Sequence, residues 1–286
     1  MRRLFCTITG AVLCATVFVG VAPSPGLART TYLRYQANWS GLHVADFTLG
    51  FDDEKGRYVN TFHLVTRGLL GWFTRFDIAA TATGLHQSPP GNDAAATYTA
   101  QEYRVDYTTK NALRWIKITF SAPHAPAHAR KGSRPLPGHP GKIENKAADK
   151  DIPARLRTDV TDPLSALSQL IEGVREHLSG GPANFSIAVF DGKRRLDLKA
   201  RYLGPITRTI MEKKYPAYRL RVETVPIMGF KKSHKILWDG ATFDLYLSRD
   251  DLRIMQIVPI RHGPVLGPVL TLERTCSQPC PLPKAD

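Results

Sequence analysis

One stretch constrains the fold more than any other, because a strong helix signal is followed directly by a hairpin signal. Residues 159–204 read DVTDPLSALSQLIEGVREHLSGGPANFSIAVFDGKRRLDLKARYLG. Asp162 has the side chain of an N-cap, and Pro163 suits the first helical position, where its missing N–H removes no hydrogen bond. Apolar residues then recur every three or four positions, at Leu164, Leu167, Leu170, Ile171, Val174 and Leu178. This spacing predicts an amphipathic helix over 163–178 that ends before Gly180-Gly181.

The second half of this stretch predicts two strands joined by a tight turn. Residues 185–190 and 194–202 alternate apolar and polar side chains on either side of Asp191-Gly192. Asp-Gly between two such runs is typical of a hairpin turn, because both residues tolerate positive φ. Asp191 and Lys193 could in principle act as an acid–base pair. The residue types of a tight turn explain Asp191-Gly192-Lys193 better.

The rest of the chain repeats the period-two alternation of half-buried strands and offers no second convincing helix. Predicted strands cover 32–39, 44–51, 58–66, 76–85, 98–107, 113–120, 218–225, 235–238, 242–247, 254–260 and 265–273. Sequential strands of this kind are usually antiparallel neighbours. The predicted fold is mainly β: a single antiparallel, open or flattened β-barrel of about a dozen strands, packed on the one amphipathic helix.

Residues 122–158 break this pattern. Six prolines punctuate the segment 121–153, which is otherwise rich in Ala, Gly, Lys, Arg and His. It offers too little apolar surface to offset the entropy of ordering it. We therefore predict a flexible, basic, Pro-rich loop at 122–158. Because its prolines oppose a helix, His124 and His128 are better interpreted as a solvated pair than as metal ligands.

The N-terminus predicts export. Arg2 and Arg3 precede an apolar run over 4–21, followed by prolines and a small-residue site at Gly26-Leu27-Ala28. This is the pattern of a secretory signal peptide over 1–28, cut after Ala28, which leaves one β-rich domain over 29–286 in the periplasm. A retained membrane anchor is the alternative.

Cleavage there would leave Cys276 and Cys280 as the cysteines of the exported chain. In an oxidising compartment, two thiols this close together are expected to form a local disulfide. A metal site is the alternative for this pair, but no further ligands lie beside it. Redox catalysis usually needs a two-residue gap, whereas three residues separate these cysteines.

The charge balance predicts an anionic partner. The full chain has a formal net charge of +14, and removal of Arg2 and Arg3 would leave +12. Such a surplus suits lipid head groups, an acidic polysaccharide or another anionic envelope surface. Nucleic acid would also be attracted, but export argues against it.

Two apolar tips are the candidate ligand-binding residues. The first is the glycine-bracketed run with Leu69, Leu70, Trp72 and Phe73; the second contains Met228 and Phe230, followed by Lys231-Lys232. Exposed, the first tip would enter lipid or line the rim of an apolar cavity, with the second as another lip. Buried, the first would plug one end of a barrel, and the second would be an ordinary turn.

The sequence also resembles a family of exported bacterial proteins, the domain of unknown function 3108. The resemblance rests on segments spread over about residues 31–273: Tyr32–Gln36 with Trp39 and Gly41-Leu42, DPLSAL at 162–167, FDGKRRLDL at 190–198 and IVPIRHGPVLGPVLTL at 257–272. It implies a β-rich envelope protein akin to the open-barrel lipoprotein carriers that cradle acyl chains. It supplies no catalytic residues, and the basic segment 122–158 is peculiar to this chain.

Three classes of function therefore compete. The favoured one is a non-catalytic periplasmic protein that holds an apolar or amphipathic envelope molecule, such as a lipid or acylated ligand, without a cofactor or metal. Peripheral membrane contact would fit this role. The alternative is a structural or assembly factor that acts through protein or polysaccharide partners. An enzyme is disfavoured because the chain lacks the GxSxG, phosphate-loop and HExxH motifs, although an unrecognised hydrolase site stays open.

Overall fold

The computed structural model describes residues 30–54, 56–68, 76–87, 96–109, 111–231, 240–261 and 267–282. Within these residues the chain forms one α-helix, α1 (Pro163–Leu178), a short 3₁₀ turn (Ala154–Leu156) and fourteen strands. The strands are β1 (Thr31–Trp39), β2 (Leu42–Glu54), β3 (Arg57–Thr66), β4 (Asp77–Gln87), β5 (Thr97–Thr108), β6 (Ala112–Thr119), β7 (His128–Pro135), β8 (Glu144–Ala147), β9 (Asn184–Phe190), β10 (Arg195–Ile210), β11 (Lys213–Met228), β12 (Thr242–Ser248), β13 (Ile254–Arg261) and β14 (Val269–Cys276).

All fourteen strands belong to one antiparallel sheet. Its spatial order is β8-β7-β6-β5-β4-β3-β2-β1-β14-β13-β12-β11-β10-β9, so two meanders meet where β1 pairs with β14. The sheet ends at β8 and β9, which do not pair with each other, and the barrel is therefore open. This confirms the predicted mainly-β, open antiparallel fold around one helix.

The connection from β8 to β9 lies in the opening of the barrel and carries the helix. Before the helix, Ala127 N–H donates to Arg157 O (2.7 Å), and Ala148 N–H donates to Ala129 O (2.8 Å). At the other edge, Thr161 N–H donates to Ala188 O of β9 (2.8 Å). Residues 148–161 thus bond to both edges, and we call this region the seam.

Helix α1 is confirmed at its predicted bounds and packs inside the curved sheet. The Asp162 carboxylate accepts hydrogen bonds from the backbone N–H groups of Leu164 and Ser165, each at 2.9 Å. Most of the apolar stripe predicted from the sequence faces the core: Leu164, Leu170 and Val174 join a core cluster with side chains from both meanders. Leu167 and Ile171 pack against this cluster, whereas Leu178 is 45% exposed. The sheet therefore wraps around the helix, as the amphipathic spacing predicts.

Polar side chains fix the helix against β3. Tyr58 and Ser165 share a buried hydrogen bond of 2.6 Å between their hydroxyl groups. Next to it, the Asn60 amide donates to the Ser168 hydroxyl at 2.9 Å. Because buried polar groups are costly without partners, these bonds fix the rotation and height of the helix relative to the sheet.

The prediction of a flexible loop at 122–158 is wrong, because this segment contains β7 and β8. Strand β7 pairs with β6 along its whole length. Its sequence lacks apolar alternation because the neighbouring strand supplies the apolar surface. The Trp115 ring of β6 lies over Gly132 of β7, where an added Cβ would come within 2.5 Å of the ring. The backbone hydrogen bonds to β6 and the Trp115 ring together stabilise a segment that has few apolar side chains of its own.

Candidate ligand-binding groove

The interior of the barrel is densely packed where the structure describes it. Tyr35, Phe190 and Leu170 are completely buried between the sheet and the helix. Their neighbours on both meanders belong to the same cluster of buried residues. Since α1 occupies the concave face, surface pockets are the better candidates for a ligand site.

A groove of about 790 Å³ lies on the outer face of the second meander, across β9 to β13. The outer face is identified by alternation, because Ala200 and Val222 point into the core and their strand neighbours point away from it. Its volume falls within the range of about 300–1,000 Å³ that is usual for small-molecule sites. The groove is lined by Asn184, Phe185, Ser186, Lys199, Ala200, Arg201, Arg221, Glu223, Thr242, Ile260 and Arg261.

Strand register arranges the charged side chains of the groove in two neighbouring rows. In the first row, directly opposite residues on successive strands are Ser186, Lys199, Glu223, Thr242 and Arg261. In the second row they are Asn184, Arg201, Arg221 and Asp244. Lys199 therefore faces a carboxylate, whereas Arg201 faces another arginine.

A buried carboxylate holds the far end of the second row. Asp244 is 0% exposed and accepts hydrogen bonds from both Arg219 and Arg221, at 2.5–3.1 Å. The bond to Asp244 raises the pKa of Arg221 above its ordinary value. Asp244 is fully used by these two guanidinium groups, so Arg221 is fixed in place.

Arg201 has no such partner. Across the residues that the structure describes, neither Arg201 nor Arg261 forms an ion pair. Like charges placed directly opposite each other destabilise a sheet. An anion between Arg201 and Arg221 would relieve that repulsion.

The groove also offers carbon surface. The Ile260 side chain, which lines the groove, is 44% exposed. The aliphatic stems of Lys199 and Arg201 add to this surface. Cations beside apolar side chains suit a ligand with an acidic head and an apolar portion.

A second pocket, of about 650 Å³, lies between the ends of β4–β6 and the seam. Two of the residues that line it, His124 and Asp159, could act as an acid–base pair. His124 Nδ1 lies 2.9 Å from Asp159 Oδ1. Both side chains are largely exposed. No described serine or cysteine hydrogen-bonds to this histidine, and the pair lacks the buried, oriented nucleophile of a hydrolase.

The predicted site residues that the structure describes, Met228 and Phe230, do not line the groove. Leu69, Leu70, Trp72 and Phe73 lie outside the described residues. Met228 is 38% exposed at the end of β11, and the Arg194 guanidinium lies 5.5 Å from the centre of the Phe230 ring. Met228 and Phe230 thus border the β9–β10 turn, about 16 Å from the groove at ~3.3 Å per strand residue.

The sequence carries a weak signal for the groove residues, none of which is among the predicted site residues. Lys199 and Arg201 are two apart on one strand of a hairpin, and Arg221 and Glu223 are two apart on the other. Cations at alternate positions of a strand are typical of an ordinary solvent-exposed face of a sheet. Only the register that places Arg201 opposite Arg221 distinguishes this face from any other.

Other predicted sites have simpler outcomes. Cys276 and Cys280 are joined in a disulfide, with their Cα atoms 5.7 Å apart. The described ranges contain no group of three His, Cys, Asp or Glu residues arranged to hold a metal ion. None of the helices that the structure describes is both long and apolar enough to cross a bilayer.

Comparisons with known proteins identify a family but no activity. The model of the family described as "Protein of unknown function (DUF3108)" matches residues 34–265. The fold is similar to the crystal structure of a beta-barrel-like protein of domain of unknown function DUF1849 from Brucella abortus, at 8% identity and a TM-score of 0.49. That alignment covers 86% of this chain and 96% of the Brucella chain. No curated protein matches the sequence.

Proposed function

We propose that this chain, which belongs to the DUF3108 family because that family's model matches most of its length, is a non-catalytic binding protein of the periplasm. Its ligand is an amphipathic envelope molecule with an acidic head group, held in the groove on the outer face of β9–β13. The N-terminal export signal and the net positive charge predicted from the sequence support this location and this ligand class.

One observation carries the proposal: Arg201 lies directly opposite Arg221 in a groove that also exposes Ile260. A guanidinium pair held in fixed register can bind a phosphate or carboxylate with charge-assisted hydrogen bonds. The apolar part of the ligand would lie on Ile260 and on the aliphatic stems of Lys199 and Arg201, where each buried CH₂ contributes about 0.8 kcal/mol. Such a site needs no catalytic group.

Isothermal titration with dodecyl phosphate, kept below its micelle concentration, tests this proposal. We expect saturable binding to the wild-type protein. Arg201→Gln with Arg261→Gln should weaken it at least about tenfold, because each charge-assisted bond contributes about 1.5–3 kcal/mol. Lys213→Gln with Lys214→Gln removes the same charge at the exposed tip of the β10–β11 hairpin and should leave binding unchanged.

The free protein supplies a second readout. Removing Arg201 alone relieves the repulsion of Arg221, so Arg201→Gln should raise the free energy of unfolding by about 0.2–1 kcal/mol while it weakens binding. Equal dodecyl phosphate affinity in the double variant and the wild type would place the ligand elsewhere. No uptake of the amphiphile would favour the alternative role, a structural or assembly factor.

A further inference from the structure

A second group of cations lies where the FDGKR turn between β9 and β10 meets β6 and β7 on the other side of the barrel opening. Within this turn, Asp191 Oδ1 accepts hydrogen bonds from the backbone N–H groups of Lys193 (2.9 Å) and Arg194 (2.7 Å). Gly192 has φ +91°, and an added Cβ would lie 2.6 Å from Ile116 Cγ2 of β6. The turn therefore packs directly against the inner face of β6, and only glycine fits at its closest point.

Strand register places two further cations beside this contact. Ile116 lies directly opposite Lys131 of β7, so the two side chains share one face of the sheet. Arg114 is two residues before Ile116 on β6 and points to that same face. Lys193, the residue after Gly192, thus lies next to Lys131 and Arg114.

The electrostatics agree with this placement. Burial lowers the pKa of Lys193 below its ordinary value, and the nearby charge of Lys131 lowers it further. These are the effects expected of a half-buried ammonium group with cationic neighbours.

The carboxylates near these cations are already used. Asp191 Oδ2 accepts from Arg194 Nε at 2.6 Å. Glu144, which is near enough to feel both Arg114 and Lys131, pairs with Lys146 at 2.9 Å. Over the described part of the chain, no ion pair involves Arg114, Lys131 or Lys193. The positive charges of these three side chains therefore repel each other across the contact between the turn and β6–β7.

We propose that the contact between the β9–β10 turn and strands β6 and β7 is a second anion site, in which Arg114, Lys131 and Lys193 bind one phosphate group. The phosphate would bridge the two meanders, because Lys193 belongs to the meander that contains β9 and β10. Arg114 and Lys131 belong to the other meander, on β6 and β7. A phosphate matches the site because it carries enough charge for three cations and enough oxygens for each. This site is independent of the groove, since it shares no residue with it.

Thermal unfolding and calorimetry with inorganic pyrophosphate test the proposal at constant ionic strength. Pyrophosphate should bind and raise the Tm of the wild-type protein. Lys193→Gln should raise the Tm without the anion, because it relieves repulsion, and should weaken pyrophosphate binding at least about tenfold. Lys131→Gln should behave in the same way. The matched control, Lys213→Gln at the exposed tip of the β10–β11 hairpin, should keep the wild-type affinity for pyrophosphate.

Vesicles distinguish the two sources of phosphate. Sedimentation with phosphatidylcholine vesicles that contain phosphatidic acid should depend on Lys193 if the ligand is a lipid head group. Pyrophosphate binding without Lys193-dependent sedimentation identifies a soluble phosphate ester, and both results support the site. Wild-type protein that fails to bind pyrophosphate, or Lys193→Gln protein that binds it with wild-type affinity, would overturn the proposal.

Discussion

At the scale of single residues, Asp162 shows how one side chain links the helix to the core. Its carboxylate caps α1 and also accepts a hydrogen bond from the Ser165 hydroxyl at 2.5 Å, while it is 0% exposed. Burial raises its pKa from the ordinary 3.8 to about 6, although hydrogen bonds from Ser165 and Leu164 oppose that rise. The folded protein therefore holds a proton on Asp162 more tightly than the unfolded chain does.

This pKa predicts a pH dependence of stability that belongs to one residue. The contribution of Asp162 is fully present below pH 3.8 and is lost as the pH rises to about 6. The free energy of unfolding should fall by up to about 3 kcal/mol over that window, at ~1.36 kcal/mol per pH unit. Asp162→Asn retains the cap but does not ionise, so it should gain stability over the wild type as the pH rises.

Urea unfolding at pH 4 and pH 7 checks this prediction. Asp250→Asn, at an exposed turn, is the matched control and should follow the wild type at both pH values. Parallel pH profiles for wild type and Asp162→Asn would show that the Asp162 carboxyl ionises in the folded protein as it does in the unfolded chain.

At the scale of secondary-structure elements, the contact of α1 with β9 depends on a glycine in the helix. A Cβ added to Gly173 would overlap the ring of Phe185. The bare backbone of the helix therefore lets the tip of the ring approach it closely. Phe185 lies directly opposite Ala200, whose side chain points into the core, so this contact belongs to the core of the barrel.

Two opposing effects decide the outcome of Gly173→Ala. Alanine favours a helix over glycine by about 1 kcal/mol, whereas overpacking a buried contact costs about 1–3 kcal/mol. We expect the clash to dominate and the free energy of unfolding to fall by up to about 2 kcal/mol. Chemical denaturation measures this change.

A double-mutant cycle separates the two effects. Phe185→Leu should make room for the new methyl group, so that Gly173→Ala becomes neutral or stabilising in that background. If Gly173→Ala stabilises the wild type, the helix does not press on the Phe185 ring. If it destabilises both backgrounds equally, its cost arises elsewhere.

Long hairpins show a further difference between the sequence and the structure. The predicted strand over 194–202 is too short, because β10 continues through Pro205 to Ile210. Beyond Arg201, β10 pairs with β11 alone and no longer with β9. A proline is tolerated there because its missing N–H faces the unpaired side. The hairpin end then packs back on the sheet, where Arg208 lies over the Tyr246 ring at 4.4 Å.

At the scale of the whole molecule, local signals predicted the fold well and the candidate site poorly. Asp162, Pro163 and the apolar stripe defined the helix because capping and periodicity are encoded within a few residues. Strands with a buried face showed their alternation for the same reason. Strand β7 was missed because Trp115, on another strand, supplies its apolar contact. The groove was missed because the opposition of Arg201 and Arg221 depends on register across two strands.

The same scale explains where a ligand can bind. An open barrel would usually offer its concave face, but here α1 fills that face and closes the opening through the seam. The described cations that form no ion pair and cluster together lie elsewhere. They are in the outer groove and at the contact between the β9–β10 turn and β6–β7. The proposed binding protein thus holds its ligand outside the sheet, with the helix as structural core.

Photo-cross-linking tests this central claim most directly. A dodecyl phosphate that carries a diazirine near its head group would be bound to the protein, irradiated, and its adducts mapped by tandem mass spectrometry. We predict adducts on residues 184–186, 199–201 and 260–261, and their loss in the Arg201→Gln Arg261→Gln variant. Adducts confined to α1 and the inner face of the sheet, around Leu170 and Val174, would contradict the account and return the ligand to the barrel interior.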